Sequence, residues 1–250
     1  MNIAVLEIRN YLLKPNVLEH FIDYFEEHFI SSQEAENMSI LGQFRLIGSS
    51  DHFVWLRGFS DMQTRLEGLQ NFYGGPVWKK HRLVANDMML ESDNVHLLRP
   101  LSNIADLTCG LDAHAVAADL AAGTISYNTG VIAVDFYKAL PGKRDALIDR
   151  FQTQIVPVYQ NRGIQVRGLF VAEMAENEFT GLPVIQNEDE FVVITAYESE
   201  EAYQQKRGEM SILINEATGT LLDATPETLL LSPALRSPLR YLHQQQHKRP

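Results

Sequence analysis

Apolar residues recur along this chain with two spacings, and their alternation predicts the elements. From Ile3 to Leu12 and from Thr129 to Leu140 the residues are apolar or β-branched enough for strands. Each run leads to a proline, Pro15 or Pro141, and then to apolar positions three and four apart. The first such set is Val17, Leu18, Phe21, Ile22, Phe25 and Phe29; the second is Leu147, Ile148, Phe151, Ile155 and Tyr159. That spacing makes one apolar stripe, as on a helix lying against a sheet. The prolines are expected at or just before the helix starts, where a missing N–H costs nothing. Two strands follow, Met38 to Leu46 and His52 to Phe59, joined as a hairpin through Gly48-Ser49-Ser50-Asp51. Helical segments from Asp61 to Phe72 and from Pro76 to Met88 precede a strand around Val95 to Leu98.

This pattern occurs twice. Tyr11 aligns with Tyr137 at an offset of 126, and the same offset sets Pro15 on Pro141, Phe25 on Phe151, Gly42 on Gly168 and Phe44 on Phe170. Beyond the second strand, Phe53-Val54 falls on Phe191-Val192 at an offset of 138, so the second copy carries 12 extra residues (138 minus 126). They lie within Ala175 to Asp189, a stretch with Gly181, Pro183 and several acids that reads as a surface loop. The expected organisation is one unit over residues 1–100, a linker over 101–127 with a short helix in Ala113 to Ala122, a second unit over 128–242, and a disordered tail over 243–250.

A β-α-β-β-α-β unit is the ferredoxin-like arrangement, with helices on one sheet face only. Along the third strand Val54, Leu56 and Gly58 make one face, while Phe53, Trp55, Arg57 and Phe59 make the other. Neither looks solvated. The expected fold is therefore α+β: two tandem ferredoxin-like units with antiparallel sheets packed face to face, a pseudo-dimeric barrel around a shared cavity.

Composition narrows the function classes. A net charge of −11, from 32 acidic and 21 basic residues, leaves no basic footprint for nucleic acid. Cys109 is the single cysteine, which rules out an intrachain disulfide and a thiolate metal cluster. The chain enters a strand pattern at once, with no signal-peptide pattern and no apolar run of membrane-spanning length, so a cytoplasmic protein is expected.

The stretch Phe53-Val54-Trp55-Leu56-Arg57-Gly58-Phe59-Ser60-Asp61-Met62, with Arg65, Phe72-Tyr73 and Pro76-Val77-Trp78, resembles the NIPSNAP family of the dimeric α+β barrel superfamily. Glu7-Ile8-Arg9-Asn10-Tyr11 with Pro15, and Gly42-Gln43-Phe44, are similar too, so the resemblance spans about residues 3 to 100. The second copy departs from it, with Val193 for Trp55, Thr195 for Arg57 and Tyr203 for Arg65. Any site is expected to be lopsided, with the N-terminal half supplying most polar groups. The resemblance implies no agreed reaction. Superfamily relatives include monooxygenases without metal or flavin, haem-degrading enzymes, muconolactone isomerases and chlorite dismutases, and fold alone does not choose among them.

Strand alternation sets Glu7, Arg9 and Tyr11 on one face and Trp55 and Arg57 on one face. Both faces are expected to line the barrel and, with Trp78, to hold a small anionic or aromatic ligand, one that is acidic or enolic. Tyr11 or His81 would then move a proton in a cofactor-independent oxygenase or isomerase. The alternative is a non-catalytic structural or interaction protein in which these groups satisfy one another, Arg9 pairing with Asp135 across the pseudo-twofold. No cofactor or metal is expected. Asn10, Trp78 and His81 loosely imitate the haem site of the degrading enzymes, which keeps haem as a minor alternative. The expected partners exclude nucleic acid and membranes and leave a homo-oligomer open.

Overall fold

The computed structural model describes residues 3–101, 107–121 and 130–242. In chain order the first copy holds β1 (Val5–Leu13), α1 (Leu18–His28), α2 (Ile30–Glu34), β2 (Ser39–Leu46), β3 (His52–Phe59), α3 (Met62–Gly74), α4 (Pro76–Met88) and β4 (Met89–Pro100). After α5 (Ala113–Ala121), the second holds β5 (Val131–Lys138), α6 (Arg144–Arg150), a π turn (Phe151–Ile155), α7 (Val156–Asn161), β6 (Gln165–Ala172), β7 (Glu190–Tyr197), α8 (Glu200–Thr218) and β8 (Glu227–Pro233). The tail over 243–250 lies outside the described residues, as do 102–106 and 122–129 of the linker.

The strands close a barrel in the order β1-β3-β2-β8-β5-β7-β6-β4. Each copy thus contributes the same sequence of neighbours, fourth-first-third-second, and the copies join through β2–β8 and β4–β6. The repeat extends to register. Tyr11 faces Phe53 as Tyr137 faces Phe191, and the bulge between Ile40 and Gly42 recurs between Val166 and Gly168. Both copies also interrupt the first helix at one place. The chain breaks at Phe29 between α1 and α2, and the π turn ends at Ile155, 126 residues later. In the second copy the cause is Pro157, which has no N–H to close the preceding turn.

Pro15 and Pro141 stand just before the helices, as expected; each begins a turn whose next residue, Asn16 (φ 65°) or Gly142 (φ 71°), takes a left-handed conformation before the helix opens. The 12-residue insertion lies at the surface, as expected, but is tethered. It crosses to the N-terminal copy, where Phe179 stacks on Tyr73 at 5.8 Å and Leu182 and Val184 pack on the core. Ile185 exchanges backbone hydrogen bonds with Val95 and Leu97 at 2.7 and 3.1 Å.

One expectation is corrected, that of the sheet faces. Leu6, Ile8, Val54 and Leu56 meet Ile132, Val134, Val192, Ile194, Leu229 and Leu231 along the barrel axis, so the interior is packed hydrocarbon rather than a shared cavity. A Cβ on Gly58 would come within 2.8 Å of Ile3 and Leu41, both of that interior, so Gly58 permits close approach there and not against helices. Trp55, Phe53, Tyr11 and Phe59 face the helix layer instead, with Phe21, Phe25 and Phe72. The physical reason is partners: beneath the helices the guanidiniums reach Glu7, Gln33 and Asn177, whereas the barrel axis offers them hydrocarbon.

Candidate functional site

In the N-terminal unit the polar residues singled out by sequence do assemble, but beneath the helices. Glu7, Arg9 and Tyr11 alternate onto the helix side of β1, beside Trp55 and Arg57 of β3. Asp61 caps α3 by accepting from the Thr64 amide at 2.6 Å, and that helix brings in Arg65. The Glu7 carboxylate accepts from Arg57 Nη2 at 2.6 Å, Arg65 Nε at 2.7 Å and Arg9 Nη1 at 2.8 Å, with all four side chains at most 1% exposed. Burial alone would raise its pKa; the three guanidiniums overturn that and hold the carboxyl well below the usual carboxylate range. Further acceptors complete the cluster: Tyr11 Oη for Arg9 Nε at 2.9 Å, Gln33 Oε1 for Arg57 at 2.9 Å, and Asn177 Oδ1, from the inserted strap, for Arg65 at 2.9 Å. Trp55 lies 5.5 and 5.0 Å from the Arg9 and Arg57 guanidinium carbons. Only about 30 Å³ stays open beside Tyr11, Trp55 and Trp78. The network expected as the alternative is what forms here, with Glu7 and not Asp135 as its carboxylate.

The C-terminal unit is different at the equivalent place. Glu7, Trp55, Arg57 and Arg65 are replaced by Ala133, Val193, Thr195 and Tyr203, and a cavity of about 480 Å³ opens between sheet and α8. That volume suits a small organic molecule. Asp135 and Tyr137 enter it from one face of β5, two residues apart. Thr228 of β8 lies opposite Asp135 in register and donates from Oγ1 to Oδ1 at 2.6 Å. Tyr197 comes from β7 and Tyr159 from α7. Ser199 caps α8 by accepting from the Ala202 amide at 3.1 Å, and one face of that helix supplies Tyr203, Arg207, Met210, Ser211 and Ile214.

Electrostatics set Asp135 apart. Burial drives its carboxyl up to about 6, against smaller downward pulls from the Thr228 hydrogen bond and the Arg207 charge. Its partial exposure coincides with the cavity that it lines. Desolvation, with the nearby Asp135 charge, also pushes the phenols of Tyr137, Tyr159, Tyr197 and Tyr203 above their ordinary range, so they remain protonated donors at neutral pH. One carboxylate that titrates near neutrality among neutral hydroxyls can take a proton from carbon and hold the oxyanion that results.

The open one of the two equivalent spaces lies in the C-terminal unit. The N-terminal half, expected to supply most polar groups to a site, packs its own against one another. Of the two proton-transfer candidates, Tyr11 is sealed against Arg9, and His81 hydrogen-bonds Tyr24 at 2.7 Å and stacks on His28 at 4.0 Å. Trp78 packs on Phe29, Phe72 and Tyr73. Asn10 pairs with His52 at 2.8 Å and alternates with Arg9 onto the other sheet face, so the loose haem trio does not converge. Asp135 was legible as the partner of Arg9 in the repeat, but Tyr159, Arg207 and Thr228 were not read as site residues. A signal for them existed in the shortened side chains of the second copy.

Residues 6–103 match the NIPSNAP family model. The N-terminal unit thus carries a NIPSNAP family match over nearly its whole length. A NIPSNAP-like domain protein from Burkholderia xenovorans is 25% identical over 41% of this chain and 89% of its own, with a TM-score of 0.37. Over the whole chain the similar structures are of other kinds. A candidate monooxygenase from Lactobacillus acidophilus has a TM-score of 0.58 at 12% identity, over 92% of this chain and 94% of that one. A mutant chlorite dismutase from Candidatus Nitrospira defluvii has 0.54 at 11% identity, over 96% and 95%. These two likenesses show the fold alone, the dimeric α+β barrel, here built from both copies in one chain. No curated protein matches the sequence. Among the described residues, no helix is long and apolar enough to cross a membrane.

Proposed function

We propose that the C-terminal cavity binds a small enolisable molecule and that Asp135 moves a proton at the carbon beside its carbonyl. The observation that carries this reading is a half-buried carboxyl, lifted to about 6, that lines a 480 Å³ cavity walled by four tyrosines. At neutral pH Asp135 is largely ionised yet poorly solvated, the state of an effective general base. Thr228 fixes one carboxylate oxygen and leaves the other for the substrate. The tyrosine hydroxyls supply hydrogen bonds to the enolate oxygen as charge develops there. The proton returns to another carbon in an isomerase; in a cofactor-independent oxygenase the enolate instead gives an electron to dioxygen. That a candidate monooxygenase and an anthrone oxidase-like protein share the fold agrees with the second outcome without selecting it.

The test is exchange of the C3 protons of phenylpyruvate for deuterium in D2O, followed by proton NMR. Wild-type protein should accelerate the exchange, and Asp135→Asn should lower that acceleration by about a hundredfold or more. Equal exchange by the two proteins would remove Asp135 from the role of base.

A further inference from the structure

The cavity is electrically polar from floor to rim, and this bears on which enolisable molecules it accepts. Asp135 places negative charge at the sheet end. The other acid on the wall, Asp223, is engaged by Lys138 at 2.7 Å and is thereby neutralised. Arg207 stands on α8 over the Tyr203 ring, 6.0 Å from its centroid, with its side chain exposed to solvent. Among the described residues Arg207 has no ion-pair or hydrogen-bond partner, in contrast to Arg9, Arg57 and Arg65 of the other unit, which converge on Glu7. Ser211 follows Arg207 by four residues and also lines the cavity, so a guanidinium and a hydroxyl lie one helical turn apart at the same rim.

On the reading that Asp135 is the base, we infer that the substrate is an enolisable acid whose carboxylate is held by Arg207 and Ser211, with its reactive carbon turned inward. Two charges enforce that orientation. A carboxylate at the floor would meet the Asp135 carboxylate in a poorly solvated space, where like charges repel strongly. A carboxylate at the rim meets a planar fork of donors suited to it. A neutral ketone of the same shape has no such preference, so Arg207 acts as a specificity-determining residue and not as part of the proton transfer. Phenolic and aromatic bodies suit the space between, where Tyr159, Tyr197 and Tyr203 offer ring faces.

The test compares phenylpyruvate with its methyl ester, which keeps the ketone and removes the charge. Binding of both is measured by saturation-transfer NMR titration to wild type, Arg207→Gln and Asp135→Asn. Wild type should prefer the acid by about five- to tenfold, the range of a partly exposed charge-assisted contact. Arg207→Gln should bring the ratio to about one without weakening the ester, since the side chain is exposed and its replacement leaves the fold intact. Asp135→Asn should keep or strengthen binding of the acid while losing the proton exchange. A preference for the acid that survives in Arg207→Gln overturns the assignment of Arg207 and leaves the base reading untouched. Exchange that persists in Asp135→Asn, with the ratio still governed by Arg207, overturns the base reading alone. Failure of both compounds to bind wild type overturns both.

Discussion

Glu7, fully buried, and Asp135, half-buried at the position equivalent to Arg9, are carboxyl groups whose surroundings give them opposite consequences for stability. Glu7 has a folded pKa far below that of the unfolded chain, near 4.3. Its contribution is therefore fully present above about pH 4.3 and is lost only as the pH falls through the much lower folded value. Glu7→Gln removes the charge that three guanidiniums share, and should cost about 3–5 kcal/mol in urea unfolding at pH 7. Asp135 is the reverse case. Its folded value, about 6, lies above the unfolded one, so the folded state binds the extra proton and stability falls as pH rises from about 4 to 6. Asp135→Asn should then stabilise the protein by roughly 2–3 kcal/mol at pH 7.5 and by almost nothing at pH 3.5. Equal midpoints for wild type and Asp135→Asn at pH 7.5 would show that the carboxyl is not desolvated as described.

At the scale of elements, the sequence is most legible where period and turn chemistry agree. The hairpin of β2 and β3 and the helix after Gly75-Pro76 fall where the pattern puts them, because Gly48 takes φ 88° and Pro76 opens α4. The strap is legible as a surface loop from its composition, with Gly181, Pro183 and acids, but its anchorage is not. What pins it are single contacts to the other unit, Asn177 with Arg65 and Phe179 with Tyr73, which no local pattern encodes. Phe179→Ala should loosen it by about 1–2 kcal/mol and speed hydrogen exchange at the Leu97 and Ile185 amides, which bond across that junction. Unchanged protection of those two amides would mean that the strap is held by its backbone alone. The choice of sheet face was also hidden, since Val54-Leu56-Gly58 and Trp55-Arg57 both suit a buried environment. Hydrogen-bond partners decide it: beneath the helices the arginines reach Gln33 of α2 and Asn177 of the strap, which the barrel axis does not offer.

For the whole molecule, duplication explains why one chain holds both a filled and an open version of the same space. The N-terminal copy fills it with a carboxylate, three arginines and tryptophan; the C-terminal copy has shortened those residues and keeps the cavity. The repeat and the barrel were readable from offsets of 126 and 138, because strand register preserves them through gaps. Which copy keeps the open space was not, because conspicuous residues such as Trp55 and Arg57 mark where space is occupied. A crystal structure of the wild-type protein with phenylpyruvate tests this most directly. The account places the ligand in the C-terminal cavity, its C3 against Asp135 and its carboxylate toward Arg207. Density for the ligand beside Tyr11, Trp55 and Trp78, with the C-terminal cavity empty, would contradict it.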